Sequence, residues 1–487
     1  PTARETMYQQ KFHLYRNLTK PSERLYLSFA KAGASGEAQN PSYLINEIRK
    51  LFPEILVRDI EKEEKPEEKL EMPRSGEALF LEELGRAAEG EIDPLFEELY
   101  RWYAAHPEAG IPAETYRKAA FLRCADGVIG KSAASALYGD TLKNSATRLE
   151  KYAACAFAHF MEFGLQIRER DQYELKAADM GTVMHEALEK FSKKLQENGE
   201  TWKTVTDDTR DRLIEECVEE TMADYGNTIF QSSSRNQYRI IRVKRILKRT
   251  VWALQQQIRQ GEFEPGEFEV SFSMEDSLSA INIDLSEHEK MRLRGRIDRV
   301  DLCETDDKVY VKIIDYKTGN TSLDLVALYY GLQLQLAVYL DAAVELEQKK
   351  HPGKQVEPAG VFYYHIDDPM LDQEEDETDE AWGRRMLKAL RMDGLVNADR
   401  KVVVLEDGTT SDVIPVGKKK DGSYTSYSKV ASPEQFDVIR TYTRKKVREI
   451  GEGIFSGNVK ISPYQRDGAT ACAYCEYQGI CGFDQKI

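Results

Sequence analysis

The residue types suited to chemistry concentrate in one segment: Leu293-Arg-Gly-Arg-Ile-Asp298-Arg-Val-Asp301-Leu302, then Cys-Glu-Thr-Asp306-Asp307-Lys, then Val309-Tyr-Val-Lys-Ile-Ile-Asp315-Tyr316-Lys317-Thr-Gly319. Two carboxylates brought within a few ångström at the end of an apolar sheet repel each other unless one is protonated or a cation lies between them. A hard divalent ion such as Mg²⁺ accepts oxygen ligands of this kind and keeps positions open for water and phosphate. An ammonium group such as Lys317 then orients the attacking water and offsets charge on a pentacovalent phosphate. The plainer reading of the same three groups is a mutual salt bridge at a sheet end.

Positioning these groups requires a hairpin, and two β-rich runs flanking a turn supply one. With Asp306-Asp307 as a two-residue loop, Val300 pairs with Ile313, Leu302 with Val311 and, on the other face, Asp301 with Lys312. This register predicts Asp298 opposite Asp315 on the face of the buried Val and Ile residues, with Lys317 pointing the same way. Upstream, Gly181-Thr-Val-Met-His185-Glu-Ala-Leu-Glu-Lys-Phe191 predicts a helix whose apolar stripe is Met184, Ala187, Leu188, Phe191 and Leu195. His185 borders that stripe, either as a satisfied structural residue or as a nitrogen ligand delivered across the sheet. Glu269, in Phe268-Glu-Val-Ser-Phe272, is a weaker candidate placed before the hairpin.

The set Gly181-x-x-x-His185, Gly295-x-Ile-Asp298-Arg, Asp315-Tyr-Lys317-x-Gly319 and Gln335-x-x-x-Tyr339 resembles the RecB-type nucleases of the PD-(D/E)XK superfamily. The resemblance implies an α/β fold with a mixed sheet flanked by helices. It also implies a metal ion, Mg²⁺, held by His185, Asp298, Asp315 and the carbonyl of Tyr316. Lys317 would assist hydrolysis of DNA phosphodiesters, with Gln335 and Tyr339 on a helix beside the site.

Cys472-Ala-Tyr-Cys475-Glu-Tyr-Gln-Gly-Ile-Cys481 brings three thiols into a short loop without a local fourth ligand. Spacing alone accommodates either zinc or an iron–sulfur cluster. The resembled nucleases carry a 4Fe–4S cluster whose first cysteine precedes the nuclease core. By that likeness Cys155 joins Cys472, Cys475 and Cys481, although Ala156 stands where those proteins have proline.

The chain has 68 Lys and Arg against 84 Asp and Glu, a net charge of −16, so any nucleic-acid contact must be local. Between Arg235 and Arg259 there are eight basic residues and no acid, and Arg239, Arg242, Lys244, Arg245, Lys248 and Arg249 are the candidates for phosphate contacts. A solvated helix face or a contact to an acidic partner reads the same run equally well. Ala125-Asp-Gly-Val-Ile-Gly130-Lys131-Ser132 imitates a phosphate-binding loop, but no central strand is predicted before it and no partner motif follows.

A mean hydropathy of −0.57 and no apolar run near the roughly 18 residues of a bilayer span exclude a membrane protein. Seven cysteines, an odd number, point to a reducing compartment; the family resemblance implies that this is the bacterial cytoplasm. The start at Pro1 fits a piece of something longer. Residues 8–14 read as a helix and Glu23 to Phe29 as a strand; 34–143 read as a helical, acidic region with a solvated charge run from Glu61 to Glu71. Residues 144–487 read as the nuclease region, with a core-poor insertion at about 366–432 carrying strands at Lys401 to Leu405 and Asp412 to Val416.

Nearly the whole chain resembles the carboxy-terminal half of the B subunits of AddAB helicase–nucleases. In that likeness residues 1–33 end an inactive superfamily-1 helicase-like domain, with Lys20-Pro21 where an active motor has an arginine, and 34–143 are helicase-derived. The expectation is a deoxyribonuclease that cuts single-stranded DNA beside a helicase–nuclease A subunit during double-strand-break repair. A nuclease-dead DNA-binding scaffold is the alternative.

Overall fold

The computed structural model describes residues 2–33, 38–59, 70, 73–88, 94–121, 127–170, 175–225, 230, 233–272, 278, 281–372, 377–407 and 412–483. They fall into two units, Pro1–Arg123 and Cys124–Ile487.

The first unit carries helices α1 (Ala3–Thr19), α2 (Tyr43–Leu51), α3 (Pro73–Ala88), α4 (Pro94–Ala105) and α5 (Ala113–Ala120). A capping box starts α1: the Thr2 hydroxyl accepts the Glu5 N–H and the Glu5 carboxylate accepts the Thr2 N–H. Pro73 and Pro94 occupy first helical positions, where a missing N–H costs nothing. Phe80, Phe96 and Tyr103 form the small core of α3 to α5. The strand expected at Glu23 to Phe29 does not form: Leu25, Tyr26, Leu27 and Phe29 are exposed, and no described strand pairs with the segment. An apolar run without a partner edge has nowhere to place its backbone hydrogen bonds except water. The charge run Glu61 to Glu71, apart from Leu70, lies outside the described residues.

The second unit continues with α6 (Lys131–Tyr138), β1 (Thr141–Asn144), α7 (Ala146–Ala154), α8 (Ala156–His159), α9 (Ala177–Glu197), α10 (Asp207–Asp224) and α11 (Ser234–Gln260). Next come β2 (Glu264–Phe272), β3 (Asn282–Asp284), β4 (Lys290–Leu293), β5 (Gly295–Glu304), β6 (Lys308–Lys317), α12 (Leu325–Tyr329), α13 (Gln335–Lys350) and β7 (Gln355–His365). The chain ends with α14 (Asp379–Ala389), β8 (Asp393–Asn397), α15 (Arg400–Asp407), β9 (Val430–Ala431), α16 (Pro433–Phe455), the small pair β10 (Gln465–Arg466) and β11 (Ala469–Thr470), and α17 (Gln478–Cys481).

A mixed six-stranded sheet ordered β2-β5-β6-β7-β8-β9 forms the centre. One face packs Ile314, Phe362 and Tyr364 against Leu188, Phe191, Leu247 and Val251 of α9 and α11. The other packs Val311, Ile313 and Val361 against Leu340 and Val344 of α13 and Ile454 of α16. The β5–β6 hairpin keeps the predicted register, Val300 with Ile313, Asp301 with Lys312 and Leu302 with Val311, around the Asp306-Asp307 loop. β6 and β7 run parallel with α13 as their crossover. The Asp301–Lys312 pair, 3.4 Å apart, is fully buried rather than solvated; Arg299 and Glu406 complete a four-charge group. Such charges are tolerated inside only because each has an opposite partner.

The stretch 366–432 differs from expectation. It supplies β8 and β9 to the central sheet and buries Met386, Leu387, Leu395, Val396, Val402, Val403, Val413 and Ile414. Residues 401–405 are helical, because Val402, Val403, Glu406 and Asp407 bury one helical face and Glu406 reaches Lys312. Tertiary contacts override the β propensity of Val402-Val403-Val404. Residues 412–416 are buried without forming a strand.

Candidate functional site

The hairpin ladder stops at Arg299↔Ile314, while β6 runs on beside β7 to Lys317↔His365 and β5 runs back beside β2 to Phe272↔Gly295. Beyond that point Asp298 Oδ2, rather than a backbone carbonyl, accepts the Tyr316 N–H at 2.8 Å. Asp298 and Asp315 are both buried where the ladder ends.

Glu269 falls between the β2–β5 pairs Phe268↔Arg299 and Val270↔Ile297, and so lies across from Asp298. Its φ of +50° is in the left-handed region, uncommon for a residue with a side chain. The strand faces exchange there. Phe268 and Arg299 lie beside Trp202 in the α9–α11 core, whereas Val270 and Ile297 lie in the α13 core. The strict alternation expected from sequence breaks at this pair, and Asp298 leaves the face it would share with Val300.

His185 reaches the same point from α9, its Nδ1 3.3 Å from Asp298 Oδ2 and its ring edge-on to Tyr316. Ligand atoms of His185, Glu269 and Asp298 all lie within 4.8 Å of one another. This is the one such cluster of three metal-ligating side chains among the described residues. Burial and the Asp298 charge push Glu269 up to about 7, against the pull of Arg296, which forms a short ion pair with it. Burial and Asp298 likewise push Asp315 up to about 6, against the pull of Lys317. Burial opposes charging of His185, but its hydrogen bond to Asp298 and the neighbouring carboxylates outweigh this and raise its pKa. Acids that resist ionisation this close together form a site that a divalent cation would relieve.

Asp315 stands outside the three-residue set. Its Oδ2 is 2.5 Å from Lys317 Nζ and its Oδ1 accepts Gln335 Nε2 at 2.7 Å. Lys317 donates to Gln335 Oε1 at 3.0 Å, and Gln335 Nε2 lies 3.4 Å from the Tyr339 hydroxyl one turn along α13. Two glycines allow these approaches: a Cβ on Gly295 would come within 2.6 Å of Phe272 and 3.0 Å of Tyr339, and one on Gly181 within 3.3 Å of Thr318. The N–H groups of Leu334 and Gln335, unpaired within the helix at the start of α13, both donate to Glu150 Oε1, at 2.7 and 3.0 Å. Burial pushes Glu150 up to about 7 in spite of these two donors.

Sequence reasoning passed over Glu150 and underrated Glu269. Nothing in a lone helical glutamate marks it as the cap of a helix nearly two hundred residues away. Glu269 had a signal in its place on the strand preceding the hairpin, but not in its backbone conformation.

Cys155, Cys472, Cys475 and Cys481 are free thiols. Cys155 caps α8, and Cys155 and Cys475 both pack against the cluster of Ala158, Met161 and Tyr477. Backbone bonds from Tyr464 N–H to Ala154 and from Phe157 N–H to Lys460 tie the tail to α7 and α8.

Five of the six candidate basic residues on α11 have partners within the chain. Lys244 pairs with Glu219, Lys248 with Glu215, Arg245 and Arg249 with Asp368, and Arg239 donates to the Leu175 carbonyl. Arg242 is exposed. Lys131 of the imitation phosphate loop lies 3.8 Å from Glu289.

Residues 143–482 match the PD-(D/E)XK nuclease superfamily. The whole chain is similar to proteins named as the B subunits of ATP-dependent helicase/deoxyribonucleases. It is 42% identical over 500 residues to the one from Lachnoclostridium phytofermentans, 35% over 493 to that of Alkaliphilus metalliredigens and 34% over 497 to that of Clostridium tetani. These alignments take in 100%, 100% and 99% of this chain but only 42%, 43% and 42% of those proteins, so the chain spans less than half the length of the curated relatives it matches.

Proposed function

The chain belongs to the PD-(D/E)XK nuclease superfamily, and on that premise we propose that it hydrolyses phosphodiester bonds of single-stranded DNA with the aid of Mg²⁺. The observation that carries this reading is the convergence of His185, Glu269 and Asp298 beside the Asp315–Lys317–Gln335 hydrogen-bonded group. His185, Glu269 and Asp298 would hold the metal, with Asp315 and the Tyr316 carbonyl completing its shell on the β6 side. The chemistry a divalent ion held by these residues would supply is a more acidic bound water and an offset to charge on the phosphate. Lys317 holds an ammonium group at the cleft edge, where it orients the incoming water and offsets charge on the phosphate oxygens. Gln335 fixes Lys317 and Asp315 relative to each other, and Tyr339 backs Gln335.

Cys155, Cys472, Cys475 and Cys481 would hold a 4Fe–4S cluster, which the packing of Cys155 and Cys475 on a common apolar patch supports. Held by these four residues, such a cluster would join the α7–α8 junction to the tail. This chain would work with a helicase–nuclease A subunit in double-strand-break repair in a bacterial cytoplasm, a reading that rests on the family resemblance and is supported by relatives named as B subunits of helicase/deoxyribonucleases. Among the described residues no helix is long and apolar enough to cross a membrane. Lys20 is exposed at the end of α1, and ATP hydrolysis is assigned to the partner rather than to this chain. Arg242, with the salt-bridged basic residues around it, would offer the strand a phosphate contact.

The test is Mg²⁺-dependent cleavage of labelled single-stranded DNA by wild type and Asp315→Ala, each with the helicase partner present. Loss of cleavage in the variant is the expected result. Equal inertness of both proteins would instead favour a DNA-binding scaffold.

A further inference from the structure

The segment between Lys317 and Gln335, together with α16 and the tail, makes a surface that neither the metal cluster nor the core uses. Tyr442, Tyr329, Tyr330 and Tyr464 form a continuous row of rings. Tyr442 stacks on Tyr329 at 5.2 Å and 9°, Tyr329 meets Tyr330 edge-on at 5.1 Å, and Tyr330 meets Tyr464 at 5.8 Å. Tyr329 and Tyr330 are 56% and 52% exposed, with Leu325 and Val326 of α12 exposed beside them. The row is fixed from below: the Tyr442 hydroxyl donates to the Tyr329 carbonyl at 2.8 Å, and Gly331, at φ +83°, turns the chain where a Cβ would press on Ala153. A contiguous exposed aromatic surface on a charged protein marks an interaction site.

We propose that this tyrosine row is a stacking platform on which bases of single-stranded DNA rest as the strand enters or leaves the cleft. The proposal rests on the DNA-cleaving reading above and extends it to a binding subsite. Tyr330 and Gln335 are five residues apart, at most about 17 Å of chain, and Gln335 touches both Lys317 and Asp315. The platform therefore lies within a short length of strand from the reacting phosphate. Its chemistry suits bases, which stack on aromatic faces whatever their sequence. Lys446 Nζ lies 5.7 Å from the Tyr442 ring and Arg466 pairs with Asp324 at the edge of the row, so positive groups stand where a phosphodiester backbone would pass. Both cations already have acidic partners, Glu449 and Asp324, so the rings supply most of the affinity here.

The experiment is binding of fluorescein-labelled oligothymidylate to the full chain in EDTA, where no cleavage occurs, across a range of salt. Tyr329→Ala and Tyr330→Ala should each weaken binding roughly five- to tenfold, Tyr329→Phe should bind as wild type, and the slope of affinity against salt should not change. Unaltered binding by the alanine variants overturns the proposal. Binding by Tyr329→Leu as tight as by Tyr329→Phe also overturns it, since an aliphatic side chain offers no ring face on which a base can stack. The two readings fail separately. A chain that binds oligothymidylate through Tyr329 but never cleaves it leaves the platform standing without the nuclease. A chain that cleaves while Tyr329→Ala keeps both its binding and its KM leaves the nuclease without the platform.

Discussion

Glu269 and Asp298 face each other across neighbouring strands, and Glu269 holds a left-handed backbone at the point where the two strands exchange faces. Carboxylates so placed would repel across an ordinary ladder. With His185 they make instead a three-sided cage, and the unusual backbone is the cost of aiming Glu269 into it.

Glu269→Gln is accordingly expected to weaken metal binding by about a hundredfold while leaving the fold intact. Titrating Mn²⁺ against cleavage of labelled single-stranded DNA measures this. A midpoint within twofold of wild type would remove Glu269 from the metal's shell.

The raised acids also fix a pH dependence. A group whose folded pKa lies above its unfolded value contributes stability that is full below the unfolded value and is lost as pH rises through the folded one. Asp315, at about 6, Glu269, at about 7, and His185, raised by Asp298, all act in this direction. The metal-free protein should lose melting temperature between pH 5 and about pH 7, less steeply in Glu269→Gln than in wild type. Added Mn²⁺, which favours the ionised carboxylates, should flatten the fall. A wild-type slope equal to that of Glu269→Gln in the absence of metal would contradict this account.

Glu150 offers a third test. Glu150→Ala strands the N–H groups of Leu334 and Gln335, a loss of about 1–3 kcal/mol, whereas Glu150→Gln keeps an acceptor in place. Melting curves should rank wild type above Gln above Ala. Because Gln335 bridges Lys317 and Asp315, kcat should fall in the alanine variant more than KM changes. Equal stability of all three proteins would show that water serves α13 as well as Glu150 does.

For the cysteines, protein purified without air is expected to be brown and to contain iron and sulfide. Cys475→Ser should abolish the colour and lower the melting temperature. A colourless wild-type protein with one zinc per chain would replace the cluster by a tetrahedral thiolate site.

The hairpin was legible because its two strands carry matched apolar residues and its loop is two acids long, which leaves one register that buries the right face. The helix bearing His185 was legible from its apolar stripe, all of which is buried. The exchange of faces at Glu269 was not, since alternation assumes that every residue keeps an extended backbone. Lys401 to Leu405 was misread for a related reason: its valines favour strands, and only the distant core that buries Val402 and Val403 and the Lys312 that meets Glu406 favour a helix. The strand expected at Glu23 to Phe29 had suitable residues but no edge to join.

The three groups of the cage come from positions 185, 269 and 298, and the neighbouring Asp315–Lys317 pair is held by Gln335 and, through it, Glu150, so no short stretch of this polypeptide carries the whole centre. During synthesis the centre stays in pieces until the helix that carries Gln335 has left the ribosome. A copy that stops short of β5 lacks Asp298 and so has no complete cage, which follows from the order of the elements along the chain.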